Sequence, residues 1–564
     1  MQKTEKIRTF LKKPLAFAVI ENCICLLLSL FVFHPHFEEN DDAIIAFIAE
    51  GAYGARDSHL VYVNYCWGEV LQFLYRLCSG IRWHSVMQYV GIMIAFTAIS
   101  YILIYEKKEG RLLSVLFLLC TFYEAYVSLQ YTKTAAIVSV AGYLVLLYCL
   151  RVIRRGVERG TEWMIAVGML LLFYGLLLRS SCFYMATAVF VIPVIYEMWG
   201  VRKETDAGHK KRLVIAYLTS FVTLAAAVCA FHYADCKAYS EQEAWKKFSA
   251  FNEKRTDLLD YRYDLMDYQS QGTRLKEIGV SENDALLYLT WQFGDGDVFH
   301  IGLMDEILDS AARRDIGIDT IKGLAAHIYE ELYALSAIVI GGVCMGIWLL
   351  LGKNRMNRYL LLYLGAVLLV VLCYYEYSGR WNHRVVFAIL FAVLALLFQY
   401  GTTDEKKPLM LIAGICIFLN VGLLMQDTFA YNRYMREEAP DAAELLAYTR
   451  QNEEQLYLID PFTDQTAYRY DVFKAYQEGE LKNRTYFGGW LTHSPIYEKV
   501  LNNYGYRNAF QALKSSDRDE RIYLIDNYYP EEKLLYLEEH YGVKYSLEIV
   551  DTIGKYNVYQ LQRQ

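Results

Sequence analysis

Up to Gln426 the chain alternates long apolar runs with short charged segments, and beyond Gln426 the alternation stops. An apolar run of about 20 residues matches the hydrocarbon thickness of a bilayer when it is helical. Such runs stand at 14–33, 85–105, 112–129, 134–150, 162–178, 182–199, 213–233, 334–351, 359–375, 385–401 and 408–426. They predict a polytopic α-helical membrane protein with about 11 transmembrane helices. The first run is too long for a signal peptide, and Glu-Glu-Asn-Asp-Asp follows it where a cleavage site would need small residues.

Charge sets the direction of the spans. The N-terminus carries Lys3, Lys6, Arg8, Lys12 and Lys13, and every second connection after it is basic: Lys107, Lys108 and Arg111; Arg151 to Arg159; Arg202 to Arg212; Lys353, Arg355 and Arg358; Lys406 and Lys407. Cytoplasmic loops carry such an excess, so the N-terminus is expected inside a plasma membrane. Two large loops, 34–84 and 234–333, then fall outside, as does a C-terminal domain over 427–564. The domain plan is therefore 1–426 for the membrane part and 427–564 for an extracytoplasmic α/β domain. Strand-like runs at 455–460, 521–526, 546–550 and 556–561 alternate there with helical stretches at 438–451, 466–477, 496–503 and 531–540.

The net charge of −7 offers no footprint for a nucleic-acid partner. Most of the 12 cysteines lie in apolar runs, where a thiol acts as a small hydrophobe. Asn483-Arg-Thr485 is a sequon by pattern only.

The first outer loop opens His34-Pro-His-Phe-Glu-Glu-Asn-Asp-Asp42. A solvated acidic cap on a helix end is the plain explanation. Carboxylates beside lipid can also take a proton from a hydroxyl presented at the membrane surface. Asp41 and Asp42 are the candidate bases, while Asn40 or Asp41 could cap a helix that starts after Asp42. Further on, Tyr62, Asn64 and Trp67 lie in a stretch patterned for an interfacial helix, and are candidates for acceptor or sugar contact.

An N-terminal span, an acidic pair opening the first outer loop, about ten more spans and an outer C-terminal domain resemble the GT-C superfamily. These are membrane glycosyltransferases that use polyprenyl-phosphate sugars, among them the protein O-mannosyltransferases and aminoarabinose transferases. The resemblance implies that an acid of the first outer loop, Asp41 or Asp42 here, is catalytic. It implies a polyprenyl-phosphate sugar donor and a cell-envelope glycan or polymer as acceptor.

Transfer of that kind needs cations for the departing lipid phosphate. Basic residues are depleted on the outer side, and those present are candidates: Lys133, Arg179, and the group Arg380, His383 and Arg384. Snorkelling to headgroups is the plain alternative. No metal site is assigned: the acids and histidines of 34–42 could bind a divalent ion, and Asp295-Gly-Asp297 reads as a turn. A polymerase or ligase of lipid-linked glycans is the alternative function. A transporter fits less well, because the spans hold few buried charges and show no paired repeat.

Overall fold

The computed structural model describes residues 13–155, 161–202, 207–309, 317–402, 406–464 and 468–564. Among them, 9 helices are long and apolar enough to cross a membrane: Pro14–Phe31, Trp83–Glu106, Gly110–Val127, Tyr131–Arg154, Ser180–Gly200, Val214–Glu241, Arg355–Ser378, His383–Tyr400 and Lys407–Glu437. The two remaining apolar runs are helical but differ in form. Glu162–Leu178 is a shorter helix, and Ser336–Leu351 is one arm of a pair, bent by 100° from Thr320–Ala334. Side chains hold the first arm against its neighbours, with His327 2.8 Å from Glu376 and Glu331 3.1 Å from His383.

The helix Tyr131–Arg154 is the axis of the bundle, and nearly all of its length is buried. Small residues let its neighbours approach. A Cβ on Gly142 would stand 2.9 Å from the Gly168 carbonyl, and one on Gly175 would collide with Ser139. Close backbone approach through small residues is the usual means of helix association in lipid. The start of this helix is pinned from two sides, since the Gln130 side chain accepts from the Lys133 N–H at 3.1 Å and Asp42 accepts from the Tyr131 N–H at 3.1 Å.

Two short strands, β1 (His36–Phe37) and β2 (Ser128–Leu129), pair in parallel just above the bundle. The C-terminal sheet comprises β3 (Leu456–Ile459), β4 (Arg484–Tyr486), β5 (Ile522–Ile525), β6 (Tyr545–Ile553) and β7 (Tyr556–Arg563). Its order is β4-β3-β5-β7-β6, with parallel pairing from β4 to β5 and antiparallel pairing onward. The aspartates that end β3 and β5, Asp460 and Asp526, share the buried ammonium of Lys533. The repeated Leu-Ile-Asp ends are thus two halves of one internal ion group.

Three features depart from the sequence expectation. A helix over 466–477 does not form: 466 and 467 lie outside the described residues, and 468–477 is a run of turns. Its apolar residues act as separate pins. Tyr468 and Tyr476 meet the ring of Phe47 at 4.9 and 4.8 Å, and the Tyr476 N–H donates to Glu50 at 3.0 Å. Strand β4 fell within a stretch read only as a sequon, and Asn483 is buried, its amide donating to the carbonyls of Thr449 and Asn452. Finally, segment 234–333, expected as a loop separate from the C-terminal domain, shares a core with it. Phe251, Tyr288 and Phe293 share one core with Leu458 of the C-terminal sheet and with Phe510 and Tyr536 of the helices that pack on it. The helix Lys407–Glu437 likewise runs straight through the expected boundary at 426/427.

One buried ion pair locks the first outer loop to the C-terminal segment. Arg82 Nε lies 2.8 Å from Glu50, its Nη1 donates to the Asp471 carbonyl at 2.7 Å, and its guanidinium stacks over Phe47 and Tyr476. Such a pair is costly to break from one side, by about 3–5 kcal/mol, because the remaining charge stays buried.

Candidate active site between the bundle and the C-terminal segment

A cavity of about 700 Å³ opens between one end of the spans and the C-terminal segment. That volume is typical of a site that encloses a small molecule. Its floor is the helix Asp41–Glu50, which follows directly from β1. Asn40 occupies the N-cap position, and Gly51, in the left-handed region at φ +80°, ends the helix. This helix is buried along almost its whole length, so the two acids at its start are held in fixed places.

The two acids have different surroundings. Asp41 lines the cavity. Burial and the neighbouring charge of Asp42 push its carboxyl up to about 6, against the pull of Arg179. Asp42 is fully buried beneath the lining. It accepts from His84 Nε2 at 2.9 Å, from the Gln88 amide at 2.8 Å and from the Tyr131 N–H at 3.1 Å. A carboxylate with three donors is a structural anchor, whereas one that titrates near neutrality at a cavity wall can exchange a proton with a ligand.

The cations of the cavity wall are all arginines among the described residues: Arg179, Arg380, Arg384, Arg469 and Arg484. Arginine suits phosphate and carboxylate because its planar fork makes two parallel hydrogen bonds. Three are matched with acids. Arg384 pairs with Glu39 and lies 3.4 Å from Asp41, Arg380 lies 3.2 Å from Asp260, and Arg484 lies 2.9 Å from Asp464. Two are not: among the described residues no carboxylate lies within ion-pair distance of Arg179 or Arg469. Arg179 stacks over Tyr62 and Tyr131 and donates to the Tyr62 carbonyl at 3.3 Å.

Buried donors without partners also face this space. The indole N–H of Trp381 and the Nε of Arg484 have no acceptor among the described residues, while the Trp490 indole N–H is directed at the Asp41 carboxylate. Indole and guanidinium nitrogens can only donate. A ligand that satisfies them must present oxygen acceptors, as phosphates and sugars do.

Of the remaining candidates from the sequence, Tyr62 alone lines the cavity. Lys133 is buried behind the lining, with Nζ 2.6 Å from Glu38 and 2.8 Å from Glu124, so its charge is committed. His383 is 3.4 Å from Glu124 and 3.1 Å from Glu331. Glu38, Glu124 and His383 are close enough together to hold a metal ion, but the cation between the two carboxylates is the Lys133 ammonium. Tyr62 lines the cavity and packs on Trp490 at 4.9 Å. Asn64 instead caps the helix Tyr65–Leu77 by accepting from the Cys66 N–H, and Trp67 is buried against Tyr174. Asp295 accepts from Asn508, Tyr536 and Tyr541 and from the Asp297 N–H, so that string is a turn anchored in the outer core.

The sequence reading missed Asp260, Asp464, Arg469, Arg484 and Trp490. Their roles at the cavity depend on contacts between distant parts of the chain, such as Asp260 with Arg380, which no local pattern signals.

No family model matches the chain, and no curated protein matches it. Among solved structures, it is similar to the crystal structure of ArnT from Cupriavidus metallidurans bound to undecaprenyl phosphate. The identity is 13%, the match covers 96% of this chain and 97% of that one, and the TM-score is 0.40.

Proposed function

We propose that this protein transfers a sugar from a polyprenyl-phosphate donor to a cell-envelope glycan or polymer on the outer face of the plasma membrane. The observation that carries the reading is the pairing, within one cavity, of a carboxyl that titrates near neutrality, Asp41, with an arginine that has no carboxylate, Arg179. Glycosyl transfer needs both. Asp41 accepts the proton of the acceptor hydroxyl as that oxygen attacks the anomeric carbon. Arg179, with Arg384 and Arg380 beside it, takes the charge that grows on the departing lipid phosphate. Asp42, His84 and Gln88 hold the helix that carries Asp41, and act as positioning residues. Lys133 and His383 support the same wall from behind. The N-terminus is cytoplasmic and the C-terminal domain extracytoplasmic, which puts the cavity where a lipid-linked donor is the available form of activated sugar.

The reading is tested with the purified full chain in lipid nanodiscs and undecaprenyl phosphate as the probe. Saturable binding that weakens about 10-fold in Arg179→Gln supports it, a loss in the range of one charge-assisted contact. Absence of saturable binding, or equal binding by Arg179→Gln and Arg384→Gln variants that remain folded, contradicts it.

A further inference from the structure

The second arginine with no carboxylate at ion-pair distance, Arg469, belongs to the C-terminal segment; its guanidinium stacks over Tyr470, and its charge reaches Asp427 only at longer range. Two hydrogen bonds fix it at the seam between the outer domain and the first outer loop. The Phe37 N–H donates to its carbonyl at 2.8 Å, and its Nε donates to the Phe37 carbonyl at 3.0 Å. Its two terminal nitrogens have no partner among the described residues, and the side chain lines the cavity. Beside it on the same segment is a polar group built from three residues. Asp464 accepts from Arg484 at 2.9 Å and from the Tyr486 hydroxyl at 3.1 Å. Burial raises the Asp464 carboxyl above its ordinary range, and Arg484, almost wholly buried, keeps an Nε with no acceptor. The rings of Tyr468 and Tyr486 wall this region.

Hydroxyl-binding carboxylate, free N–H donor and aromatic faces together suit a saccharide, whose edges are hydroxyls and whose faces are C–H. A guanidinium that lines the same cavity with its terminal nitrogens unpaired suits an acid on that saccharide. The lipid phosphate of the donor is assigned to Arg179, with Arg384 and Arg380 beside it, which leaves Arg469 for a second anion.

We propose that the C-terminal segment forms the acceptor subsite and that the acceptor is an anionic saccharide, its carboxylate or phosphate held by Arg469 and its hydroxyls by Asp464, Arg484 and Tyr486. This rests on the glycosyltransferase reading and names its second substrate class.

The test uses the full chain in nanodiscs and the fluorescence of its cavity tryptophans. Methyl β-glucuronide, glucose 6-phosphate and neutral methyl β-glucoside are titrated separately, and the first two distinguish a carboxylate from a phosphate. At least one anionic sugar should bind about 10-fold more tightly than the neutral one, as expected for one desolvated charge pair. Arg469→Gln should erase that preference, Arg469→Lys should keep part of it, and Asp464→Asn should weaken all three sugars. Undecaprenyl phosphate should bind Arg469→Gln as it binds the wild type. Equal binding of neutral and anionic sugars, or failure of both anionic sugars to bind, overturns the proposal. So does an Arg469→Gln variant that loses undecaprenyl phosphate as strongly as it loses the sugars, since that assigns Arg469 to the donor. A protein that binds the anionic sugars but never the lipid phosphate keeps the subsite and sinks the donor assignment instead.

Discussion

The Nη2 of Arg384 stands 3.4 Å from Oδ2 of Asp41, and the same guanidinium pairs with Glu39. The proposed base and one cation of the cavity wall are therefore coupled before any ligand arrives. A phosphate that draws Arg384 toward itself leaves Asp41 with less positive charge nearby, and so a better base.

The pH dependence follows from Asp41. Its carboxyl is pushed up to about 6 by burial and by Asp42, so the share in the base form grows from about one-tenth at pH 5 to about nine-tenths at pH 7. Initial transfer rates should rise across that interval. The fold favours the protonated form, so the wild type loses stability relative to Asp41→Asn as pH rises from about 4 through about 6. Thermal scans should show Asp41→Asn melting above the wild type at pH 8 and level with it near pH 4.

Asp42 is separable from Asp41 by the same profile. Asp42→Asn removes a charge that raises Asp41, so the rate profile should move toward acid pH. It also turns an amide toward the three donors around Asp42, which should cost about 1–3 kcal/mol of stability. A shifted profile at reduced stability is the expected pair of results, and a profile that does not move removes Asp42 from the electrostatics of the base.

Lys133 lies behind the cavity wall, between Glu38 and Glu124. Lys133→Met leaves two buried carboxylates facing each other and should destabilise the chain by about 3–5 kcal/mol. Undecaprenyl phosphate affinity in the folded fraction should change little. A stable variant with greatly weakened lipid phosphate binding would place Lys133 in the phosphate site.

Lys533 does the same work in the outer domain. Lys533→Met should loosen the sheet, seen as faster proteolysis between β3 and β5. Adding Asp460→Asn and Asp526→Asn should restore part of the protection, because the buried charges that Lys533 balances are then gone.

Much of this architecture is legible in the sequence, for a physical reason. A span must satisfy its own backbone hydrogen bonds and present apolar side chains, so each of the 11 runs announces a helix without reference to its neighbours. The strands at 456–459 and 522–525 are legible as short runs of apolar, strand-favouring residues. The acids at 41 and 42 stood out, but their difference did not. Only the fold places His84, Gln88 and the Tyr131 N–H around one of them and the cavity beside the other. Arg469 and Asp464 were illegible because the stretch around them reads as a helix until Phe47 and Glu50, more than 400 residues earlier, claim its side chains and backbone.

The central claim is that Asp41 is the base of a sugar transfer fed by a polyprenyl-phosphate donor. It is tested most directly by comparing source cells whose own copy carries Asp41→Asn with the wild type, reading envelope glycan composition and the polyprenyl-linked sugar pool together. The account predicts that one sugar disappears from the envelope while its lipid-linked form accumulates, with the variant present in the membrane at normal level. An unchanged envelope and an unchanged lipid pool, at the same protein level, would contradict it.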